Sequence, residues 1–199
     1  MSRNKGLIYF EDGELLAKSN DVKVYKMNNE LFLEIGKGHT LWALESEIFD
    51  YMNQIGDKPN GDVLEIGLGL GVMSRYLLTF PKVNSVTTVE QNMDVIRVHE
   101  QIYDHLYTKD YKKIIKNKKH IVLHIDGLSY LYATEFKYDF IFLDFYDRID
   151  EDTLPLIKDM ANGCKKVLKE NGLVYAWLDP YTPEEFMEEF NSIFPIKAK

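Results

Sequence analysis

The hydrophobic positions of this chain alternate between short continuous apolar runs and longer stretches in which apolar residues recur every three or four positions. The runs predict buried strands, and the stretches predict amphipathic helices. The strands are predicted at 63–66, 83–89, 121–125, 138–143 and 173–178, with a last edge strand at 193–197. The helices are predicted directly after the first run and at 93–106, 128–136, 154–168 (with Asn171 and Gly172 as its stop signal) and 183–190. This alternation predicts a Rossmann-like, doubly wound α/β fold, in which helices cover both faces of a mostly parallel sheet.

The N-terminal part of the chain shows the pattern of a small antiparallel sheet instead. Its strands are predicted at 15–18, 22–27 and 31–35. Between the last two, Asn28-Asn29-Glu30 has the composition of a hairpin turn. Apolar residues then recur at helical spacing over 41–55. We therefore predict an N-terminal β appendage, residues 1–40, followed by one larger domain, residues 41–199.

The segment Val63-Leu64-Glu65-Ile66-Gly67-Leu68-Gly69-Leu70-Gly71 places three glycines at alternate positions directly after the first strand of the larger domain. Glycine lets the backbone turn tightly and leaves room for a ligand where side chains would intrude. A helix N-terminus follows, and its free N–H groups and positive end favour a nucleotide. Three glycines alone are also compatible with an ordinary tight turn in an α/β protein.

Acidic residues follow the next three predicted strands along the chain. Glu90, Asp126 and Asp144 each stand where a strand ends, as Gly67 does for the first strand. Because the carboxyl ends of parallel strands meet at one edge of the sheet, ligands of doubly wound folds bind there. We therefore expect these four residues to line one ligand site.

The spacing of these residues indicates the class of ligand. A dinucleotide fingerprint needs glycine or alanine where this chain has Val72, and the sequence contains no phosphate-binding G-x-x-x-x-G-K-[ST] loop. Glu90 can accept hydrogen bonds from both ribose hydroxyls, and Asp126 can accept one from the exocyclic amine of adenine. An acidic lining disfavours a polyanion. It suits an adenosyl sulfonium that also carries an ammonium group.

Taken in order, these motifs resemble the class I S-adenosylmethionine-dependent methyltransferase superfamily, and within it the spermidine synthase branch. The resemblance covers residues 60–180 and rests on V-L-E-I-G-L-G-L-G at 63–71, V-T-T-V-E at 86–90, H-I-D-G-L at 124–128, Y-D-F-I-F-L-D at 138–144 and L-K-E-N-G-L-V at 168–174. It implies the class I methyltransferase fold. It also implies S-adenosylmethionine, or its decarboxylated form, as the cofactor.

The resemblance further implies a set of cofactor-binding residues. They are Glu65, Gly67, Gly69, Gly71, Glu90, Asp126 and Gly127. The glycines would line the methionine and ribose part of the cofactor. Glu65 would hold its ammonium group, Glu90 its ribose and Asp126 its adenine.

Candidate catalytic residues follow the fourth strand of the larger domain. Asp144 is the candidate to bind the ammonium or guanidinium group of an acceptor and to take its proton, because an amine must lose a proton before it attacks a sulfonium. Tyr146 and Asp147 would fix the far end of the acceptor. The segment Asp144-Phe145-Tyr146-Asp147 resembles the D-x-x-D of spermidine synthases, and the N-terminal hairpin resembles their β appendage.

Three departures distinguish this chain from spermidine synthases. Leu70 stands where they carry an aspartate, residues 48–52 give no clear match to their Tyr-His-Glu stretch, and Glu65 is the methyltransferase form. We therefore predict methyl transfer from S-adenosylmethionine to a small amine-containing acceptor. Two alternatives stay open: a spermidine synthase-like aminopropyltransferase that uses decarboxylated S-adenosylmethionine, and a non-catalytic S-adenosylmethionine-binding protein.

Composition and charge narrow the partners. With 199 residues, a formal charge of −8 and a pI near 5.2, the chain is expected to bind neither nucleic acid nor a membrane surface. Six lysines within 109–119 are interpreted as a solvated helix or loop. The single cysteine, Cys164, predicts a core residue, and the histidines and cysteine show no metal-ligand spacing. We expect a cytoplasmic protein, and a homo-oligomer is left open.

Overall fold

A computed structural model describes residues 13–36, 40–106, 108–179 and 181–197. The N-terminal part forms a four-stranded antiparallel sheet in sequential order. Its strands are β1 (Glu14–Ser19), β2 (Val22–Met27), β3 (Glu30–Ile35) and β4 (Thr40–Leu44). Asn28 and Asn29, between β2 and β3, have φ of 52° and 64°. Positive φ at both central residues is typical of a hairpin turn that matches strand twist, so the predicted hairpin is confirmed.

The helix predicted at 41–55 is wrong over its first part. Residues 40–44 form β4, residues Glu45–Glu47 form a short 3-10 turn, and only Ile48–Ile55 form a helix, α1. In β4, Leu44 lies opposite Phe32 and Ala43 opposite Leu33. Apolar residues at helical spacing also fit a strand when a free sheet edge is available, and pairing with β3 satisfies the backbone there.

The larger sheet has six strands in the order β10-β9-β8-β5-β6-β7. They are β5 (Gly61–Ile66), β6 (Val83–Glu90), β7 (Lys119–His124), β8 (Tyr138–Leu143), β9 (Leu168–Ala176) and β10 (Ile196–Lys197). The short β10 pairs antiparallel with β9, and the other neighbours pair in parallel. The predicted doubly wound, mostly parallel sheet is therefore confirmed. Strand order reverses between β5 and β8, so a ligand site is expected at their carboxyl ends.

Helices connect these strands. They are α2 (Val72–Thr79), α3 (Met93–Gln101), α4 (Tyr103–Leu106), α5 (Lys109–Ile114), α6 (Gly127–Ala133), α7 (Thr153–Val167) and α8 (Glu184–Ile193). The helix predicted at 93–106 is broken at Ile102, which is fully buried. Asn171 and Gly172 do not end a helix as predicted, because they lie inside β9. Asn171 has φ of 62° there, and the pairing of β9 with β8 shifts register beside it.

The smaller sheet packs beside the larger one through α3. Ser19 Oγ donates a hydrogen bond to Asp94 Oδ1 at 2.5 Å, and Gln101 Nε2 donates one to the Lys18 carbonyl at 3.2 Å. This contact brings the end of β3 toward the carboxyl edge of the larger sheet. Helix α5, which carries part of the lysine run, buries none of its residues. Within the described ranges, no helix is both long and apolar enough to cross a bilayer.

Candidate active site

The turn after β5 is fixed to the strands on both sides of it. The Gly67 N–H donates to the Val89 carbonyl at 2.9 Å, and the Asp144 N–H donates to the Ile66 carbonyl at 2.8 Å. Gly67 has φ of 102°, and a Cβ on it would lie 1.8 Å from the carbonyl oxygen of Asp144. Only glycine fits between the two strand ends. Because Gly67 has no side chain, the turn can lie directly beside Asp144.

The last glycine of the turn, Gly71, packs against a buried histidine. It precedes α2 with φ of 71°, and a Cβ there would lie 2.4 Å from His99 Nε2. Burial lowers the pKa of His99 to about 4, so the imidazole is neutral at pH 7. Gly71 therefore serves the packing of α2 against α3. It is not among the residues that line the cavity described next.

A cavity opens at the carboxyl edge of the sheet, where the strand order reverses. Its described lining residues come from the glycine turn, four strand ends, α3, α6 and α7: Ile35, Ile66, Gly67, Gly69, Val89, Glu90, Gln91, Asn92, Val95, Asp126, Gly127, Asp144, Phe145, Leu156 and Met160. The charged residues in this set are all acids. The rest are mainly apolar, as expected of a small-molecule site with a few placed polar groups.

Glu90 lines the cavity and holds the glycine turn in place through its carboxylate. Its Oε2 accepts a hydrogen bond from the Leu68 N–H at 3.0 Å, and its Oε1 accepts one from the Asn92 N–H at 2.7 Å. Burial raises the pKa of Glu90, while these backbone donors oppose the rise. Each carboxylate oxygen has a further lone pair, so Glu90 can hold the turn and accept from a ligand at the same time.

Asp126 and Gly127 begin α6 at the far side of the cavity. Asp126 is the N-cap of α6 and accepts a hydrogen bond from the Ser129 N–H at 2.7 Å. Gly127 is buried, and a Cβ on it would lie 2.6 Å from Ile66 Cγ2. Close packing at Gly127 therefore sets α6 against β5, and this places the Asp126 carboxylate at the cavity edge.

Asp144 lies at the end of β8 and is held by a residue from α1. The Tyr51 hydroxyl donates a hydrogen bond to Asp144 Oδ2 at 2.7 Å. Burial raises the pKa of Asp144 to about 6, the bond from Tyr51 lowers it, and the charge of Glu90 raises it further. A carboxyl group with a pKa near neutrality can accept a proton and release it again at physiological pH.

Glu65 and Tyr146, like Gly71, are predicted site residues that lie away from the described lining of the cavity. Glu65 is fully buried beneath α2, where its Oε2 accepts hydrogen bonds from Ser74 Oγ and, at 2.6 Å, from Thr88 Oγ1. Burial raises its pKa to about 8, so Glu65 is mainly neutral at pH 7. Tyr146 is buried and donates its hydroxyl hydrogen bond to the Trp177 carbonyl. Neither side chain offers a charge to a ligand in this arrangement.

Asp147 is also absent from the described lining of the cavity. It is partly buried, and Asp147 Oδ1 lies 4.0 Å from the Nε of Arg148. Of the D-x-x-D segment, therefore, Asp144 and its neighbour Phe145 reach the cavity, while the second aspartate is not part of its described lining.

The sequence did not single out Tyr51, Ile35 or Leu156. Tyr51 bonds a residue 93 positions away, and Ile35 reaches the cavity from the other sheet. Leu156, on α7, is 44% exposed although it is a large apolar side chain. A signal was present for Asn92 alone, because an asparagine two residues after a strand-end acid is typical of a helix N-cap.

Comparison with known proteins agrees with this geometry. Residues 44–191 match the profile of the spermine/spermidine synthase domain family. The chain is 25% identical over 209 aligned positions to a polyamine aminopropyltransferase of Prochlorococcus marinus, covering 98% of this chain and 71% of the relative. It is 30% identical over 144 positions to a polyamine aminopropyltransferase of Bacillus cereus, covering 69% of this chain and 50% of the relative.

Solved structures give the same fold. The spermidine synthase from Thermotoga maritima superposes with a TM-score of 0.65 at 16% identity, over 92% of this chain and 64% of that one. A spermidine synthase in complex with the transition state analogue AdoDATO gives a TM-score of 0.67 at 18% identity, over 92% of this chain and 66% of that one. The chain thus spans about half to 71% of the length of these relatives. With its fold, its glycine turn and the match over residues 44–191, the chain belongs to the spermine/spermidine synthase domain family.

Proposed function

We propose that this chain is an aminopropyltransferase, which transfers the aminopropyl group of decarboxylated S-adenosylmethionine to a small amine acceptor. One observation carries the proposal: in a member of this family, the charged residues among the described lining of the cavity are Glu90, Asp126 and Asp144, all acids. Such a lining attracts sulfonium and ammonium groups. The names of the relatives favour this reaction over the methyl transfer that we expected first from the sequence.

The donor fits the residues at the cavity. Gly67 and Gly69 leave room beside the strand end, and Glu90 has free lone pairs for the two ribose hydroxyls. Asp126 would accept from the amine of adenine. When bound, the donor supplies an electrophilic carbon attached to a positively charged sulfur.

Asp144 would prepare the acceptor. An amine is mostly protonated at pH 7, and its ammonium group would pair with the Asp144 carboxylate. Asp144 then takes one proton, so that the nitrogen lone pair can attack the carbon in line with the carbon–sulfur bond. The new carbon–nitrogen bond forms as the carbon–sulfur bond breaks, and a neutral thioether leaves. The proton passes from Asp144 to solvent, which restores the carboxylate.

Tyr51 would support the charged form of Asp144. Its hydroxyl donates to the carboxylate at 2.7 Å, and a hydrogen bond from a neutral donor stabilises the ionised acid. We assign Glu65 a structural role instead of the ammonium contact that the resemblance implied, because a buried and largely neutral carboxyl group is a weak partner for an ammonium ion. Its bonds to Ser74 and Thr88 instead join α2 to the sheet beneath the glycine turn.

Leu70 favours a second candidate, methyl transfer from S-adenosylmethionine. This side chain is 2% exposed and packs in the core, so the glycine turn brings no carboxylate of its own to the cavity. A donor that keeps its carboxylate would meet less repulsion there than in a site with a further aspartate.

Isothermal titration calorimetry with the two donors tests the proposal. We expect decarboxylated S-adenosylmethionine to bind at least about tenfold more tightly than S-adenosylmethionine, because a carboxylate among three acids costs about 1.4 kcal/mol or more. An Asp144→Asn variant should narrow that preference. Equal affinity, or tighter binding of S-adenosylmethionine, would contradict aminopropyl transfer. Binding of neither donor would contradict both candidates.

A further inference from the structure

We propose that Gln54 is a positioning residue, which holds the Tyr51 hydroxyl in place against Asp144 by fastening α1 to the segment that follows β9. The inference rests on the proposed function, because it concerns the residue that we assign to proton transfer. Gln54 itself is absent from the described cavity lining, so it would act through Tyr51.

The side chain of Gln54 bonds one residue twice. Gln54 Nε2 donates a hydrogen bond to the Leu178 carbonyl at 3.1 Å, and Gln54 Oε1 accepts one from the Leu178 N–H at 3.0 Å. The amide thus pairs with the backbone of Leu178 as a neighbouring strand would. Two bonds to one residue fix the orientation of the amide plane as well as its distance, so this contact is directional.

Together with two other hydrogen bonds, these bonds form a closed ring of chain segments that includes Asp144. The Trp177 N–H donates to the Leu143 carbonyl at 2.9 Å, and Leu143 directly precedes Asp144. The Tyr51 hydroxyl donates to Asp144, and Tyr51 lies three residues before Gln54 on α1. Residues three apart lie on the same face of a helix. The ring therefore sets the distance between α1 and the ends of β8 and β9.

The other residues of α1 attach the helix to the core less firmly than Gln54 does. The helix has eight residues, of which Tyr51 and Ile55 are buried. Phe49 is 65% exposed and Met52 43% exposed, so the outer face of α1 makes little contact with the core. A short helix with a narrow buried face can rotate about its axis at modest cost. The paired bonds of Gln54 oppose that rotation, which would withdraw the Tyr51 hydroxyl from Asp144.

The surroundings of Asp144 oppose its ionisation, so the hydrogen bond from Tyr51 matters for keeping the carboxylate charged. Glu90, on β6, and Glu65, on β5, interact with Asp144 as like charges when ionised, and Tyr146 lies on the segment after β8. Burial and the charge of Glu90 disfavour an Asp144 carboxylate, whereas Glu65 and Tyr146, whose pKa values are raised by burial, stay mainly neutral while Asp144 titrates. Tyr51 is the hydrogen-bond donor that favours it. Loss of its placement should therefore hold Asp144 in the protonated form to higher pH.

A double-mutant cycle on the ligand-free protein tests the inference. The Asp144 carboxyl group would be titrated by carbon-13 NMR in the wild type, Tyr51→Phe, Gln54→Leu and the double variant. We expect Tyr51→Phe to raise its pKa by about one unit, and Gln54→Leu to raise it by up to the same amount. If Gln54 acts through Tyr51, the double variant should show no more shift than Tyr51→Phe alone.

Two further variants serve as controls. Asn53→Leu changes an exposed residue on the same helix and should leave the titration of Asp144 unchanged. Gln54→Asn keeps the amide on a side chain shorter by one CH2 group and adds no charge, so it should give an intermediate shift. Circular dichroism identifies any variant that fails to fold, and if Gln54→Leu fails, the Gln54→Asn variant supplies the comparison.

The outcomes separate the two proposals. The positioning role of Gln54 is overturned if folded Gln54→Leu titrates like the wild type, or if its shift adds in full to that of Tyr51→Phe. In a transfer assay, the acid limb of kcat/KM should move to higher pH in Gln54→Leu, with the donor Kd within about twofold of the wild type. If the wild type transfers nothing, the proposed function fails, and the NMR cycle still decides whether Gln54 positions Tyr51.

Discussion

Gly67 lies so close to Asp144 that a Cβ on the glycine would be 1.8 Å from the aspartate carbonyl oxygen. The glycine turn and the candidate proton acceptor are therefore one packed unit, formed where β5 and β8 end side by side. A change in the turn should affect the position of Asp144, although the two residues are far apart in sequence.

Gly67→Ala should destabilise the protein strongly. The new Cβ would meet backbone atoms that cannot move away, and alanine is strained at a φ of 102°. We expect a loss of about 2–5 kcal/mol in the free energy of unfolding, measured by urea denaturation. Gly36→Ala is the matched control, because Gly36 has φ of 88° and a Cβ there meets no described atom within 4 Å. The control should lose about 1–2 kcal/mol. Equal losses in the two variants would show that the contact with Asp144 is not tight.

The activity should depend on the ionisation of Asp144. Because burial raises the pKa of Asp144 to about 6 and the carboxylate is the form that takes a proton, kcat/KM should fall as the pH drops below about 6. Asp144→Asn should lower kcat by roughly 10²–10⁴-fold and abolish this acid limb. A variant that retains a tenth or more of the wild-type rate would rule out Asp144 as the proton acceptor.

Glu65 should make stability fall with rising pH. Its pKa is about 8 in the folded protein, against 4.5 for an unperturbed glutamate, so the folded state binds more protons between these values. Stability is therefore greatest at low pH within this window and declines until the pH passes about 8. Between pH 7 and 8.5 the wild type should lose on the order of 1 kcal/mol that Glu65→Gln does not lose. Parallel urea denaturation at both pH values measures the difference. If the free energy of unfolding changes equally with pH in the two proteins, Glu65 is ionised in the folded state.

Asp126 should have two separable roles, as the N-cap of α6 and as a ligand contact. Asp126→Ala removes both and should cost about 1 kcal/mol of stability together with about tenfold in donor affinity. Asp126→Asn keeps the acceptor for the Ser129 N–H, so it should preserve stability and still weaken donor binding. Thermal denaturation and calorimetry report the two quantities. Unchanged donor affinity in both variants would restrict Asp126 to capping.

Much of this arrangement follows from local sequence. Glu90, Asp126 and Asp144 meet because each stands at or just after the end of a parallel strand, and all parallel strands end at one edge. The hairpin at Asn28 and Asn29 is equally local, since few residues tolerate positive φ at both positions.

Contacts between distant segments were not predictable in the same way. Tyr51 bonds Asp144 across 93 positions, and nothing in the spacing of α1 indicates that partner. Glu65 sits in a strand that is buried on both faces, so periodicity does not reveal whether its side chain points toward the cavity or beneath α2. For residues 41–44, the spacing fits both a helix and a strand, and the free edge of β3 decides between them.

The most direct test of the proposed function is mass spectrometry of the acceptor after incubation with the purified protein. Decarboxylated S-adenosylmethionine and S-adenosylmethionine would each be supplied with a panel of linear diamines and monoamines, with Asp144→Asn as the control. We predict that an amine gains an aminopropyl group from the decarboxylated donor, that 5′-methylthioadenosine is released, and that the variant forms far less of both. Gain of a methyl group from S-adenosylmethionine, or an unchanged acceptor with either donor although calorimetry detects binding, would contradict aminopropyl transfer.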